Sequence, residues 1–182
     1  MMPEKIHKYV SENIVGRVAT QSLEFVAMAA IVSKYPGNFC EIGTLHGGTA
    51  IMVAMFKKAI EQDGDVYTID PFIKSVAWRD KSPPTEESVR ANFEYFGVED
   101  RIHFHKGHHP PLPWDVDFTV AFIDGDHKYE SVKADFENLK NRVSNVILYH
   151  DNDLGGVQKV IKESGWEEVF KVGHLSVTER PK

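Results

Sequence analysis

Short apolar runs alternate with stretches of helical periodicity along most of this chain, and that alternation constrains the fold more than any other feature. Residues 38–42, 66–69, 102–105, 118–123 and 146–149 read as strands. Between them lie helical stretches at 47–60 and 84–96, the second with Thr85 as N-cap and Glu86 and Glu87 in its first turn. A third follows residue 123, with Tyr129, Val132, Phe136 and Leu139 as its apolar face, and a short one covers 154–163. The middle strands are nearly continuous apolar runs rather than in–out alternations, which suits parallel strands covered on both faces. The pattern predicts a doubly wound α/β fold. Two more strands, 167–172 and 175–178, have only Gly173 and His174 between them, so they form a hairpin with at least one antiparallel member. The expected sheet is therefore seven-stranded and mostly parallel, with helices on both faces.

Two helices precede this core, at 4–14 and 21–35. The second shows apolar residues at Leu23, Val26, Ala27, Ala30 and Ile31 and is ended by Pro36 and Gly37. A length of 182 residues fits one domain. Its expected parts are N-terminal helices (1–36), a cofactor-binding core (37–151), and a C-terminal helix and hairpin (152–182). A net charge of −6 argues against binding nucleic acid by neutralising phosphates. Cys40 is the single cysteine, which excludes an internal disulfide and suits a reducing compartment. The N-terminus lacks the plan of a signal peptide, and the longest apolar run, 25–32, is too short to span a bilayer. The expectation is a cytoplasmic protein with neither membrane nor nucleic acid as partner.

Ligands of such sheets bind beyond the carboxyl ends of the strands. After the first strand the chain reads FCEIGTLHGGTA, with Gly43 ending the strand and Gly47 and Gly48 opening the helix. Glycines here permit a sharp turn and close approach of a ligand to the backbone. Asp70 closes the second strand, where a carboxylate can accept hydrogen bonds from both hydroxyls of a ribose. Dinucleotide binding favours G-x-G-x-x-G, but the middle position here is Leu45, and Glu41 places negative charge nearby. Both features disfavour a phosphate and tolerate a cationic sulfonium. A turn that merely needs glycine is the bland alternative, and Asp70 tips the balance toward a nucleoside cofactor.

The spacing E-x-G-x-x-x-G-x-T at Glu41, Gly43, Gly47 and Thr49 resembles the donor-binding loop of class I methyltransferases, which carry a Rossmann-like sheet and use S-adenosylmethionine. FIDGDHKYESVKADFENL (122–139) and VILYHD (146–151) resemble the branch with catechol and caffeoyl-CoA O-methyltransferases, and more closely the macrocin and cephalosporin-hydroxylase types. The resemblance implies that Gly43, Thr44, Gly47 and Thr49 hold the methionine part of the donor, with Glu41 supporting the loop. It implies Asp70 on the ribose, and Gly107, His108 or His109 against the adenine, with Asp124 also facing the donor.

Asp124, Asp126 and His127 follow the fourth strand; His150, Asp151, Asn152 and Asp153 follow the fifth. On neighbouring strands these groups converge, and facing carboxylates repel unless a cation or protons intervene. Oxygen donors with an imidazole suit Mg²⁺ or a similar divalent cation, with Asp124, His150 and Asp151 as the expected ligands. Asp126, Asn152 or Asp153 could equally be helix caps, and the His150–Asp151 pair a solvated turn. In the catechol type a lysine three residues beyond the first metal aspartate is the general base. His127 holds that position here and can take a hydroxyl proton, or else be an exposed first-turn residue. The other histidines, His7, His46, His103, His105 and His174, carry no ligand spacing.

The expected activity is methyl transfer to a hydroxyl of a small-molecule acceptor, with Asp124 and His127 catalytic. Trp78 and Arg79, in a long loop at 72–83, and the Pro110–Trp114 segment are candidate rims for the acceptor, although Trp114 could simply cover core. A homo-oligomer that completes the acceptor pocket is also expected, since the chain has few insertions. Competing readings are a nicotinamide-dependent oxidoreductase, a metal-dependent hydrolase and a non-catalytic cofactor-binding scaffold.

Overall fold

A computed structural model describes residues 1–72, 83–107 and 110–182. Seven strands form one sheet in the order β3-β2-β1-β4-β5-β7-β6. These are β1 (Phe39–Ile42), β2 (Val66–Asp70), β3 (Ile102–Lys106), β4 (Phe118–Ile123), β5 (Val143–Tyr149), β6 (Glu167–Val172) and β7 (Leu175–Glu179). β1 to β5 pair in parallel, and β7 runs antiparallel to both β5 and β6. The doubly wound sheet with its C-terminal hairpin is therefore present as the sequence predicts.

Six α-helices are described: α1 (Pro3–Asn13), α2 (Ser22–Lys34), α3 (Gly48–Ala59), α4 (Glu86–Tyr95), α5 (Tyr129–Leu139) and α6 (Gly155–Glu163). Alternate strand residues feed two apolar cores, as the period of two requires. Phe39, Val120, Phe122, Val146 and Leu148 pack with α1 to α4. Cys40, Ile42, Ala121, Ile123, Ile147 and Tyr149 pack with α5 and α6. The capping residue read from sequence is in place, with the Thr85 hydroxyl accepting from Ser88 N at 3.1 Å to start α4.

The buried face of α2 differs from the one the sequence suggests. Ile31 is buried as expected and Ala27 packs partly against the core, but the rest of the buried face is Phe25, Met28, Ala29 and Val32, whereas Leu23 is 70% exposed and Ala30 is also exposed. The segment is apolar almost all round, so periodicity alone cannot orient it. Packing against α1 and α3 decides the matter, and it buries Glu24 beside Phe25.

Register brings the strand ends level. Ile42 sits opposite Ile69 on one side and Ile123 on the other, and Ile123 sits opposite Tyr149. The residues that follow β1, β4 and β5, together with Asp70 at the end of β2, therefore share one edge of the sheet. The strand order reverses between β1 and β4, and the crevice opens there.

Candidate active site

Two half-sites meet at the β1–β4 crevice. The first is the turn after β1. Gly43 has φ +102°, and a Cβ there would lie 2.2 Å from the Asp124 carbonyl oxygen. Only glycine lets the two strand ends close to this distance. Gly47 has φ +86° and abuts the Phe93 ring, and Leu45 has φ +49°. The turn is tied to β2 by Asp70, whose Oδ2 accepts from Leu45 N at 2.9 Å and whose Oδ1 accepts from Phe72 N at 2.7 Å. Burial raises the Asp70 carboxyl, partly offset by these amides. With the Thr44 amide as a third donor, the carboxylate keeps about one of its four lone pairs for a further donor.

Glu41 lies beneath this turn and does not line the cavity. It is 1% exposed, and its Oε2 accepts from the Thr68 hydroxyl at 2.5 Å, which in turn pairs with the Thr44 hydroxyl at 2.6 Å. Burial pushes its carboxyl well above the ordinary range. The negative charge that the sequence places near the turn is thus held toward the neutral form, so it is no argument against a phosphate. The position of Leu45 keeps that argument alone. Thr49 is buried on α3, with its hydroxyl 2.8 Å from that of Thr20. Gly107 lines the cavity, while His108 and His109 fall outside the described residues, as do Trp78 and Arg79.

The second half-site gathers Asp124, His127, His150 and Asp151. His127 Nε2 lies 3.6 Å from Asp124 Oδ1 and 3.2 Å from Asp151 Oδ2. His150 Nδ1 lies 3.2 Å from Asp124 Oδ1 and 3.7 Å from Asp151 Oδ2. Both nitrogens are buried and neither is aligned in a hydrogen bond. Donor atoms of Asp124, His127 and Asp151 all fall within 4.8 Å of one another. Asp151 takes φ +50°, a conformation that costs a non-glycine residue about 1 kcal/mol or more and clusters at functional sites. The neighbouring carboxylates set the imidazoles: the nearby Asp124 carboxylate leads in raising His127, against the pull of burial. For His150 burial pulls down, but Asp124 and Asp151 outweigh it and push the ring up to about 11. Beside His150 the Asp151 carboxyl is lowered. Oxygen and imidazole donors converging with unmade hydrogen bonds fit a divalent cation of the Mg²⁺ or Mn²⁺ type.

The capping alternatives for the flanking residues do not hold. α5 starts after Lys128, and Asp126 instead accepts from the Ser131 hydroxyl at 2.9 Å. α6 starts after Leu154; Asn152 donates its backbone N–H to His174 O at 3.0 Å, and Asp153 pairs with His174 Nδ1 at 3.2 Å. His174 therefore has a partner that sequence does not show. His103 stacks on Tyr67 with ring centroids 4.4 Å apart, and Trp114 packs edge-on to Tyr67 at 5.3 Å, so both serve packing. The residue sequence reasoning passed over is Glu24, fully buried and 3.2 Å from His150 Nε2 through Oε2. A carboxylate among the apolar residues of a helix was the available signal.

One cavity of about 1050 Å³ runs from Gly43, Asp70 and Gly107 to Asp124, His127 and Asp151. That is the size of a pocket for a nucleoside-sized ligand and a second small molecule together. A seven-stranded sheet of this order, with a glycine turn after β1 and an acid closing β2, defines a Rossmann-like fold of the class I methyltransferase kind. A family model described as a methyltransferase domain matches residues 40–152, well over half of the chain, and the chain belongs to that family.

Solved structures agree on the fold. A candidate caffeoyl-CoA O-methyltransferase from Staphylococcus aureus is 16% identical, with a TM-score of 0.73 over 100% of this chain and 93% of that one. The O-methyltransferase TomG of Streptomyces achromogenes, involved in tomaymycin synthesis and solved with SAM, is 17% identical, with a TM-score of 0.64 over 97% and 85% of the two chains. The SAH-bound methyltransferase of Podospora anserina is 15% identical, with a TM-score of 0.67 over 98% and 94%. No curated protein matches the chain in sequence. Among the described residues no helix is long and apolar enough to cross a membrane.

Proposed function

We propose that this chain transfers the methyl group of S-adenosylmethionine to a hydroxyl of a small-molecule acceptor, assisted by a divalent cation, as a single domain spanning residues 1–182. The observation that carries the reading is the one cavity joining the glycine turn and Asp70 to the His127–Asp124–Asp151 cluster, with Asp124 at the junction. Solved neighbours hold SAM or SAH, which supports the choice of donor.

Each residue's part follows from its place. Gly43 and Gly47 let the backbone approach the methionine moiety, and the remaining lone pair of Asp70 accepts from a ribose hydroxyl. Gly107 leaves room at the adenine end. Asp124, His150 and Asp151 would hold the cation, which leaves the His127 imidazole for the proton. When bound, the cation lowers the pKa of an acceptor hydroxyl. The hydroxyl oxygen forms the new C–O bond as the methyl C–S bond breaks and the electron pair leaves on sulfur. The acceptor proton passes to the His127 imidazole in its neutral form, a ring that lines the cavity. Most of the rate comes from alignment of acceptor and donor in one enclosed space. A second copy of the chain completing the acceptor side belongs to this reading. A strictly monomeric species with full activity would refuse that part alone.

Calorimetric titration with S-adenosylhomocysteine, beside NAD and with or without Mg²⁺, tests the central claim. Saturable binding of the nucleoside that Asp70→Ala abolishes, with none for NAD, is the expected result. No binding under any metal condition overturns it and brings forward the oxidoreductase and hydrolase readings.

A further inference from the structure

We infer that Glu24 is a positioning residue of the site: from the first turn of α2 it holds the His150 imidazole by Nε2 and thereby presents Nδ1 to Asp124 and Asp151. The purpose of that orientation rests on the cation-assisted reading above; the orientation itself does not.

Glu24 is 0% exposed. Its Oε2 accepts from Gln21 N at 2.7 Å and meets His150 Nε2 at 3.2 Å, while Oε1 accepts from His174 N at 2.8 Å. Three N–H donors, from the start of α2, the end of β5 and the β6–β7 turn, thus converge on one carboxylate. Capping alone does not account for this. A capping glutamate needs only the bond to Gln21 N and normally sits in solvent, whereas this one reaches a ring 126 residues away. The turn is shaped to the same group, since a Cβ on Gly173 would lie 2.5 Å from Glu24 Oε1.

An imidazole with one nitrogen fixed has its other nitrogen fixed as well. Carboxylates that hold the far nitrogen of a ligating histidine orient the ring and strengthen it as a donor. On the site side, His150 Nδ1 is buried, unaligned in any hydrogen bond, and 3.2 Å from Asp124 Oδ1. Glu24 lies outside residues 40–152, the stretch that carries the family match. The N-terminal helices therefore contribute to the site, rather than only covering the sheet.

The test is Mn²⁺ affinity, read by electron paramagnetic resonance, in wild type, Glu24→Gln, His150→Ala and the double variant. In Glu24→Gln an amide NH₂ replaces an acceptor among three N–H donors. Mn²⁺ affinity is expected to fall about 10- to 100-fold, with S-adenosylhomocysteine affinity in metal-free buffer within about twofold. On the His150→Ala background the same substitution should cost nothing further. Mn²⁺ affinity unchanged within about twofold, or an equal loss without His150, overturns the inference. If Glu24→Gln does not fold, Glu24→Asp keeps the charge, withdraws it from the ring, and is expected to show the same loss. Wild-type protein that takes up no Mn²⁺ refutes the cation reading, and positioning is then read from the ring itself. A His150 Nε2–H correlation in ¹⁵N-labelled wild type that vanishes in Glu24→Gln supports it. Its survival in the variant sinks it.

Discussion

At Gly43 a single hydrogen atom decides whether the site can form. A methyl group there would sit 2.2 Å from the Asp124 carbonyl, with φ at +102°. Neither the backbone conformation nor the contact can relax without parting β1 from β4. Gly43→Ala is therefore expected to destabilise the fold by about 1–3 kcal/mol. It should also weaken S-adenosylhomocysteine binding more than stability alone explains. Chemical denaturation and calorimetry read the two effects separately, and a variant as stable and as tight as wild type would refute the close-approach account. Asp151 shows the opposite bargain, a carboxylate held at φ +50° where glycine would rest more easily. Strain at a residue facing two imidazoles, within 3.2 Å of one, is what a ligand-holding turn requires.

At the scale of single elements, α2 and α4 separate what patterning can and cannot tell. Thr85, followed by Glu86 and Glu87, names the start of α4 from sequence, because a hydroxyl cap is a local device. Thr85→Ala is expected to cost about 1 kcal/mol, seen as a lowered midpoint in urea, and an unchanged midpoint would deny the cap its role. The α2 face could not be read this way, since nearly every position is apolar and the choice of face belongs to tertiary contacts. Phe25→Ala should cost about 3–5 kcal/mol, while Leu23→Ala should stay within about 0.5 kcal/mol. The reverse order would restore the face that periodicity suggests. Strands, glycine turn and Asp70 were legible because each follows from local chain geometry or from a short spacing. The convergence of Asp124 and Asp151 was legible only on the assumption that β4 and β5 are neighbours. Glu24 was legible only as a carboxylate among apolar residues, not by its role: its partners lie at 150 and 174, and no local rule links them to the first turn of α2.

For the whole molecule, the clustered charges predict how stability responds to pH. The folded state raises His150 to about 11 from 6.5 and raises His127 in the same direction. Both rings hold their protons more tightly folded than unfolded. Their contribution is complete below about pH 6.5 and is lost as pH rises through the folded values. Glu41 and Asp70, raised by burial, act in the same sense from a lower starting point, because ionising them disfavours the native state. Asp151, lowered, contributes above its unfolded value and loses that contribution in acid. Metal-free protein should therefore melt at progressively lower temperature from about pH 6.5, with a slope of up to about 1.4 kcal/mol per pH unit for each proton in question, until Lys57, lowered by burial to about 8, begins to act in the opposite sense. A divalent cation reverses this, since it binds where the imidazole protons sit and binds better as they leave. The stabilisation given by saturating Mg²⁺ should widen between pH 6 and pH 9, measured by calorimetric melting in parallel buffers. Metal-free protein whose melting temperature rises from about pH 6.5 to about pH 8 would contradict the charge arrangement. A fall with pH that Mg²⁺ does not relieve would leave the proton cluster standing and remove the cation from it.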